Sequence, residues 1–314
     1  MRSTAIATLA VACLAAAIAS TALAGSVRPP ATGEDLVPTG KGWGERPAPG
    51  TDNGSATGQA KAARPQKSGN GISYHGGPLI LGTTHAYYIW YGNWSGNSAT
   101  TILPGFVGSI GGSPYFNINT TYYNGSSIKV SNSVHLAGTT NDSYSQGTVL
   151  SDTAVQNVVA AAINQRVLPK DTNAVYFVLT SSDVNETSGF CTQYCGWHTH
   201  GTIAGTDIKY SFVGNPDRCP SACEAQTTSP NGNAGADGMA SIIAHELEEA
   251  VTDPDLNAWY DTRGYENADK CAWTFGTTSN AANGSKYNVS LGGVRYLIQQ
   301  NWVDALGGYC AMSY

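Results

Sequence analysis

At 314 residues, with only 12% of its side chains charged, a formal net charge of -6 and a sequence pI ≈ 5.4, the chain offers no basic stripe to a nucleic-acid backbone or an anionic lipid surface. Electrostatics therefore argue against nucleic acid and membrane surfaces as partners. The same low charge density makes any local concentration of ionisable groups conspicuous.

At the N-terminus, Arg2 leads into an Ala-, Leu- and Val-rich stretch that closes on Ala22-Leu23-Ala24. A short apolar core ahead of a small-x-small tripeptide is a secretory signal pattern, so residues 1–24 are expected to be removed by cleavage after Ala24 and the protein to be exported. That apolar run is short for a membrane span, and no later segment is long and apolar enough for one. Residues 25–71 are rich in Gly, Pro, Ala and Thr and poor in large apolar side chains. They bury too little to offset their ordering entropy and read as a disordered leader or linker. Residues 72–314 are expected to form one domain around one core, with no internal repeat.

Within that domain, 79–91 (LILGTTHAYYIWY) and 174–179 (AVYFVL) read as buried strands at the sheet centre, being aromatic, β-branched and bounded by turn residues. Asn124-Gly125 predicts a hairpin over 122–134. Ser151 caps a helix whose face is Val155, Val158, Val159, Ala162 and Ile163, ending at Leu168-Pro169. Residues 239–251 form a second helix that stops at Asp253-Pro254, and Gly292-Gly293 predicts another hairpin within 288–299. Helices against a mixed sheet give an α+β domain.

The chemistry concentrates in His245-Glu246-Leu247-Glu248-Glu249 on that second helix. Residues four apart share a helix face, so His245 and Glu249 can offer an imidazole nitrogen and a carboxylate oxygen to one ion. Glu246 would be the general base for the ion's bound water, as in the HExxH helix of zinc hydrolases, here with Glu as the second ligand. A later acidic group, Glu266-Asn267-Ala268-Asp269, lies where such enzymes draw a third ligand, making Glu266 and Asp269 candidates. Glu is also common on exposed helix faces, which is the bland alternative. In the ion's favour, three carboxylates and a His crowd five residues of a chain that is otherwise sparsely charged.

Cys13 would leave with the signal, so the mature chain keeps an even set: Cys191, Cys195, Cys219, Cys223, Cys271 and Cys310. In an exported protein these are expected to be disulfides rather than thiolate ligands, all the more without CxxC spacing. The pairing that asks least of the backbone joins Cys191 to Cys195, Cys219 to Cys223 and Cys271 to Cys310. The run Cys195-Gly196-Trp197-His198-Thr199-His200 puts His198 and His200 on one side of a strand, where they could line the site. Otherwise they belong to a pinned loop and bond locally. No GxSxG or comparable nucleophile motif appears. Asn93, Asn119, Asn124, Asn141, Asn185, Asn283 and Asn288 are sequons, which matter as glycan acceptors only in a eukaryote.

Seven segments in the same order resemble the EXORDIUM or phosphate-induced secreted proteins: YHGGPLI at 74–80, IWYGNW at 89–94, FCTQYCGWH at 190–198, VGNPDRCPSAC at 213–223, DGMASIIAHELEEAVTDP at 237–254, NAWYD at 257–261 and ENADKC at 266–271. The resemblance implies an extracellular or cell-wall protein linked to growth regulation, without a defined reaction, and it looks like a zincin-type metallopeptidase scaffold. On that likeness His245, Glu246 and Glu249 match the zincin helix with its last His replaced. Glu266 sits like the downstream Glu ligand, and Asp269 is its supporting partner or the ligand itself.

Two carboxylates and one His nearly cancel the charge of a divalent ion and make it a weak acidifier of water. More oxygen donors also widen the choice from zinc, the first expectation, to manganese or calcium. Two functions follow: a secreted metal-dependent hydrolase acting on peptide or a cell-wall component, and a non-catalytic extracellular module that keeps the scaffold and binds through exposed aromatics.

Overall fold

The computed structural model describes residues 37–41 and 71–314. Its centre is a five-stranded sheet of β1 (Thr84–Tyr91), β2 (Val134–Asp142), β3 (Ala174–Thr180), β4 (Gly196–Ile203) and β5 (Thr206–Val213), in the order β2-β1-β3-β5-β4. The first four in that order run parallel and β4 is antiparallel to β5, so the sheet is mixed and β4 is its edge. All seven residues of β3 are buried, as a strand covered on both faces requires. The crossovers carry helix α1 (Ala99–Ile110) between β1 and β2, and α2 (Asp152–Asn164) between β2 and β3. Helix α3 (Ala234–Thr252) packs against β4, β5 and α1. The domain is α+β, as expected.

The differences from the sequence-based expectations are local. Strand β1 begins at Thr84 rather than 79, because Gly82 takes a φ of +74° that breaks extended backbone ahead of it. Helix α1 is disguised by Pro104, Gly105 and Gly108, yet Leu103, Phe106, Val107 and Ile110 recur at helical spacing and bury its inner face. Helix α2 is capped by Ser151, whose Oγ accepts from the Ala154 N–H at 3.2 Å. It ends at Asn164, earlier than Leu168-Pro169, because Arg166 turns left-handed at φ +58° and the Val167 and Leu168 N–H groups close onto the Ala162 carbonyl.

Asn124-Gly125 does not make a two-residue hairpin. The Asn124 side chain accepts from the Ser126 and Ile128 N–H groups, and only an antiparallel bridge, Tyr123 to Lys129, remains. Gly292-Gly293 does make one, joining Val289–Leu291 to Val294–Tyr296 with φ of +58° and +82°.

Two of the expected disulfides are wrong. The bridges are Cys191–Cys219, Cys195–Cys223 and Cys271–Cys310, with Cα separations of 5.8, 5.6 and 5.6 Å. Cys219 and Cys223 lie one turn apart around the short helix Pro220–Cys223, and Cys191 and Cys195 have the same spacing on the loop into β4. Two equal spacings laid side by side give two parallel rungs, each closing 28 residues, so the start of β4 is pinned to the segment ahead of α3.

Six residues of the 25–71 stretch are described, Gly71 and the strap 37–41, and the strap meets β4 at His198. The Gly40 carbonyl accepts from the His198 N–H at 3.0 Å, and Lys41 Nζ reaches Asp152 Oδ2 and Ser188 Oγ, each at 2.6 Å. The signal segment and the rest of the leader lie outside the described residues. Among the described residues, no helix is long and apolar enough to cross a membrane.

Candidate metal centre

Helix α3 starts at Asn233, whose side chain accepts from the Ala236 N–H at 3.0 Å, and it runs 19 residues. It is buried on nearly every side, so His245, Glu246, Glu248 and Glu249 are each 1% exposed or less. Four ionisable side chains in five buried residues would be strongly destabilising without compensation. Among the described residues, Glu249, Glu266 and Asp269 have no Lys or Arg partner.

After Pro254 the chain turns back onto the helix. Asp253 Oδ1 accepts from the Asn257 and Ala258 N–H groups at 2.6 and 2.5 Å, which shapes that turn. The returning 266–269 segment is anchored by Asn267, whose Nδ2 donates to the Glu248 carbonyl at 3.1 Å. Its side chains then flank the helix. Asp269 N–H donates to Glu249 Oε1 at 3.1 Å and Glu266 N–H donates to Asp269 Oδ2 at 3.3 Å.

The result is two triads that share Glu249. In one, His245 Nε2 stands 3.0 Å from Glu249 Oε1 and 3.6 Å from Asp269 Oδ1. In the other, His198 Nδ1 stands 3.4 Å from Glu246 Oε2 and 3.5 Å from Glu249 Oε2, with Glu266 Oε1 3.5 Å from Nε2 across the ring. Within each of the groups His245, Glu249, Asp269 and His198, Glu246, Glu249, the potential ligand atoms lie within 4.8 Å of one another.

Of the two late carboxylates, then, Asp269 joins His245, and Glu266 joins His198. His198 is at the heart of the cluster. Gly196 lets β4 approach, since a Cβ there would lie 2.5 Å from Ile242 Cγ2 and 3.2 Å from Glu246 Oε1. His200 does not reach the cluster. It bonds Asp207 Oδ1 at 2.8 Å beside Asp255, and Lys209 already lies 3.1 Å from Asp255, so a lysine supplies the positive charge there. Glu248 faces away, toward Asn119 Nδ2 at 3.5 Å. Sequence reasoning missed the anchoring role of Asn267 and the strap 37–41, although ENAD was conspicuous as a run.

The electrostatics follow from burial and crowding. For Glu266, burial and then its neighbours Glu249, Asp253 and Asp269 push the carboxyl well above its usual range against the opposing charge of His198. Burial and Glu249 raise Asp269, and burial raises Asp253 to about 6. Burial would lower the His198 ring, but Glu266, Glu246 and Glu249 outweigh it and raise the ring well above the usual imidazole range. Burial would raise Glu249 too, yet His245 and His198 bring it down to about 2. This is a field that draws in positive charge. The strap closes over it, Val37, Pro38, Thr39, Gly40 and Lys41 enclosing a small cavity with Gly264, Glu266 and Asp269.

The conserved region described as "Phosphate-induced protein 1 conserved region" matches residues 72–311, and so takes in both triads. The chain belongs to the EXORDIUM, or phosphate-induced protein 1, family. It is 32% identical to Protein EXORDIUM-like 3 of Arabidopsis thaliana over 309 residues, 85% of this chain and 91% of that protein. Protein EXORDIUM-like 5 of the same plant is 32% identical over 74% of this chain and 75% of its own length. Protein PHOSPHATE-INDUCED 1 of Nicotiana tabacum is 27% identical over 60% and 67%. No solved structure matches.

Proposed function

We propose that this EXORDIUM-family protein is an exported, metal-dependent hydrolase of zincin-like design that acts on peptide or on a cell-wall component. The observation that carries the reading is the convergence of His245, Glu249 and Asp269 on one buried face of α3, with Glu246 on the same turn and the edge strand β4 alongside. One nitrogen and two carboxylates suit a divalent ion, zinc first and manganese next. Such an ion would polarise a carbonyl and lower the pKa of a bound water.

The chain's own residues do the rest. Asp269 N–H holds Glu249 in place, Asn267 sets Asp269 against the helix, and Glu246 is the carboxylate available to take a proton from the attacking water. His198, with its Nδ1 facing Glu246 and Glu249, orients those carboxylates. The edge strand β4 accommodates extended main chain, as the Gly40 carbonyl on the His198 N–H illustrates, and a peptide can dock by the same hydrogen bond. Three disulfides fit an oxidising, extracellular setting.

The second reading is a non-catalytic module with a structural ion, favoured by the near-complete burial of the cluster beneath the strap. Glu246→Gln distinguishes the two. It should keep the fold and the ion held by His245, Glu249 and Asp269 while abolishing cleavage of peptide and glycan libraries. A metal-loaded wild type that turns over nothing beyond the Glu246→Gln background would refute the hydrolase and leave the module.

A further inference from the structure

The sharing of Glu249 between two triads says more than a single ion requires. Its two oxygens face different histidines: Oε1 is 3.0 Å from His245 and Oε2 is 3.5 Å from His198. Separations of 3.0 to 3.6 Å between His nitrogens and carboxylate oxygens recur on both sides. All but the 3.0 Å contact are long for hydrogen bonds, and an ion with ~2.05 Å bonds places tetrahedral ligand atoms about 3.3 Å apart. Both groups of donors are thus spaced as the edges of a coordination shell.

The unsatisfied atoms point the same way. Among the described residues, His198 Nδ1, Glu249 Oε2, Glu266 Oε1 and Asp269 Oδ1 are buried and make no hydrogen bond. A proton on His198 Nδ1 would have ion-pair contacts at 3.4 and 3.5 Å but no hydrogen bond, whereas an ion there would satisfy Nδ1 and Glu249 Oε2 together. The far side of that ring faces Glu266 Oε1 at 3.5 Å and the Asp253 carbonyl at 3.4 Å, the outer contacts that set the tautomer of a metal-bound histidine. Charge agrees as well. Glu249, Glu266 and Asp269 lack a Lys or Arg partner among the described residues, and one divalent ion balances two of them.

We propose that the cluster is a two-ion centre bridged by Glu249. One divalent ion is held by His245, Glu249 Oε1 and Asp269, and a second by His198, Glu246 Oε2 and Glu249 Oε2, with Glu266 behind the His198 ring. The proposal rests on the metal-site reading above and extends it. Ions about 3.5–4 Å apart form a clamp for the attacking and leaving oxygens of a hydrolysis. Glu246 Oε2 would be the donor to that second ion, and Oε1, on the Gly196 side, would remain to accept a proton.

The test is metal counting on the intact, purified chain saturated separately with Zn2+ and with Mn2+, then desalted and measured by elemental analysis and native mass spectrometry. Two ions per chain are expected, with an exchange-coupled electron paramagnetic resonance spectrum in the Mn2+ form. His198→Ala and His245→Ala should each bring the count to one and abolish the coupling, with circular dichroism and cooperative unfolding as fold controls. His200→Ala should keep both ions. One ion at saturation of the wild type overturns the second site but leaves the single-ion reading, whereas none overturns both. Two ions with an uncoupled spectrum, or loss of an ion in His200→Ala, overturn the Glu249 bridge.

Discussion

Gly40→Ala tests whether the strap belongs on the sheet edge. Gly40 has a φ of +68°, and a Cβ there would stand 1.9 Å from the His198 carbonyl oxygen. The obstacle is backbone, so no rotamer change relieves it. Left-handed backbone adds about 1–2 kcal/mol for a residue with a Cβ. The hydrogen bond from His198 N–H to the Gly40 carbonyl contributes about 0.5–1.5 kcal/mol, and it breaks if the strap retreats. The part-exposed Lys41–Asp152 pair adds no more than about 1 kcal/mol to hold the strap down. The substitution therefore costs the seated state about 2–3 kcal/mol, enough to shift its population roughly 30- to 150-fold. Native-state hydrogen exchange at the His198 amide is the assay. Gly40→Ala should accelerate it at least about tenfold while the amides of β3 stay protected. Lys41→Ala should have a smaller effect in the same direction. Unchanged protection of His198 in Gly40→Ala would show that the strap does not hold that edge and would refute the argument.

Asn267→Ala removes the amide that donates to the buried Glu248 carbonyl at 3.1 Å and to Asn119 Oδ1 at 3.3 Å. It should destabilise the domain by about 1–3 kcal/mol and weaken Zn2+ binding roughly 10- to 100-fold, read by denaturant unfolding and chelator competition. Unchanged stability would mean that the 266–269 segment is held by other contacts. Away from the cluster, burial and the neighbouring Asp217 raise Glu224 from 4.5 to about 7. A carboxyl with a raised folded-state pKa favours folding when protonated, so stability should fall as pH rises from about 4.5 to about 7. Glu224→Gln should flatten that slope and be more stable than wild type at pH 8 by about 1–3 kcal/mol in parallel urea titrations. A pH profile identical in the two proteins would sink this account.

The helices with capped ends and the buried central strand were legible because their causes are local. Ser151 and its apolar stripe, Asp253-Pro254 and the AVYFVL run each act within a few residues. The i, i+4 pair His245 and Glu249 was legible for the same reason, as helix geometry alone puts them on one face. The Gly292-Gly293 hairpin likewise needs only its own φ values.

Whatever depended on distant partners was decided by the tertiary structure. Local economy favoured Cys191–Cys195 and Cys219–Cys223, but the packing of the β4 approach beside the segment ahead of α3 set two long-range rungs instead. His198 and His200 are equivalent on a strand, yet only His198 lies under α3, because Asp207 and Asp255 hold the other. Spacing could not divide Glu266 from Asp269; the Asn267 anchor on the Glu248 carbonyl did. Among the sequons, Asn119 is wholly buried and bonded to Phe116 and Glu248, which removes it as a glycan acceptor in the folded protein. The cluster gathers side chains from three separate segments, His198 on β4, His245 to Glu249 on α3, and Glu266 with Asp269 on the returning chain. Its helix can be read from periodicity, but its remaining members are chosen by whichever chain segments pack against that helix.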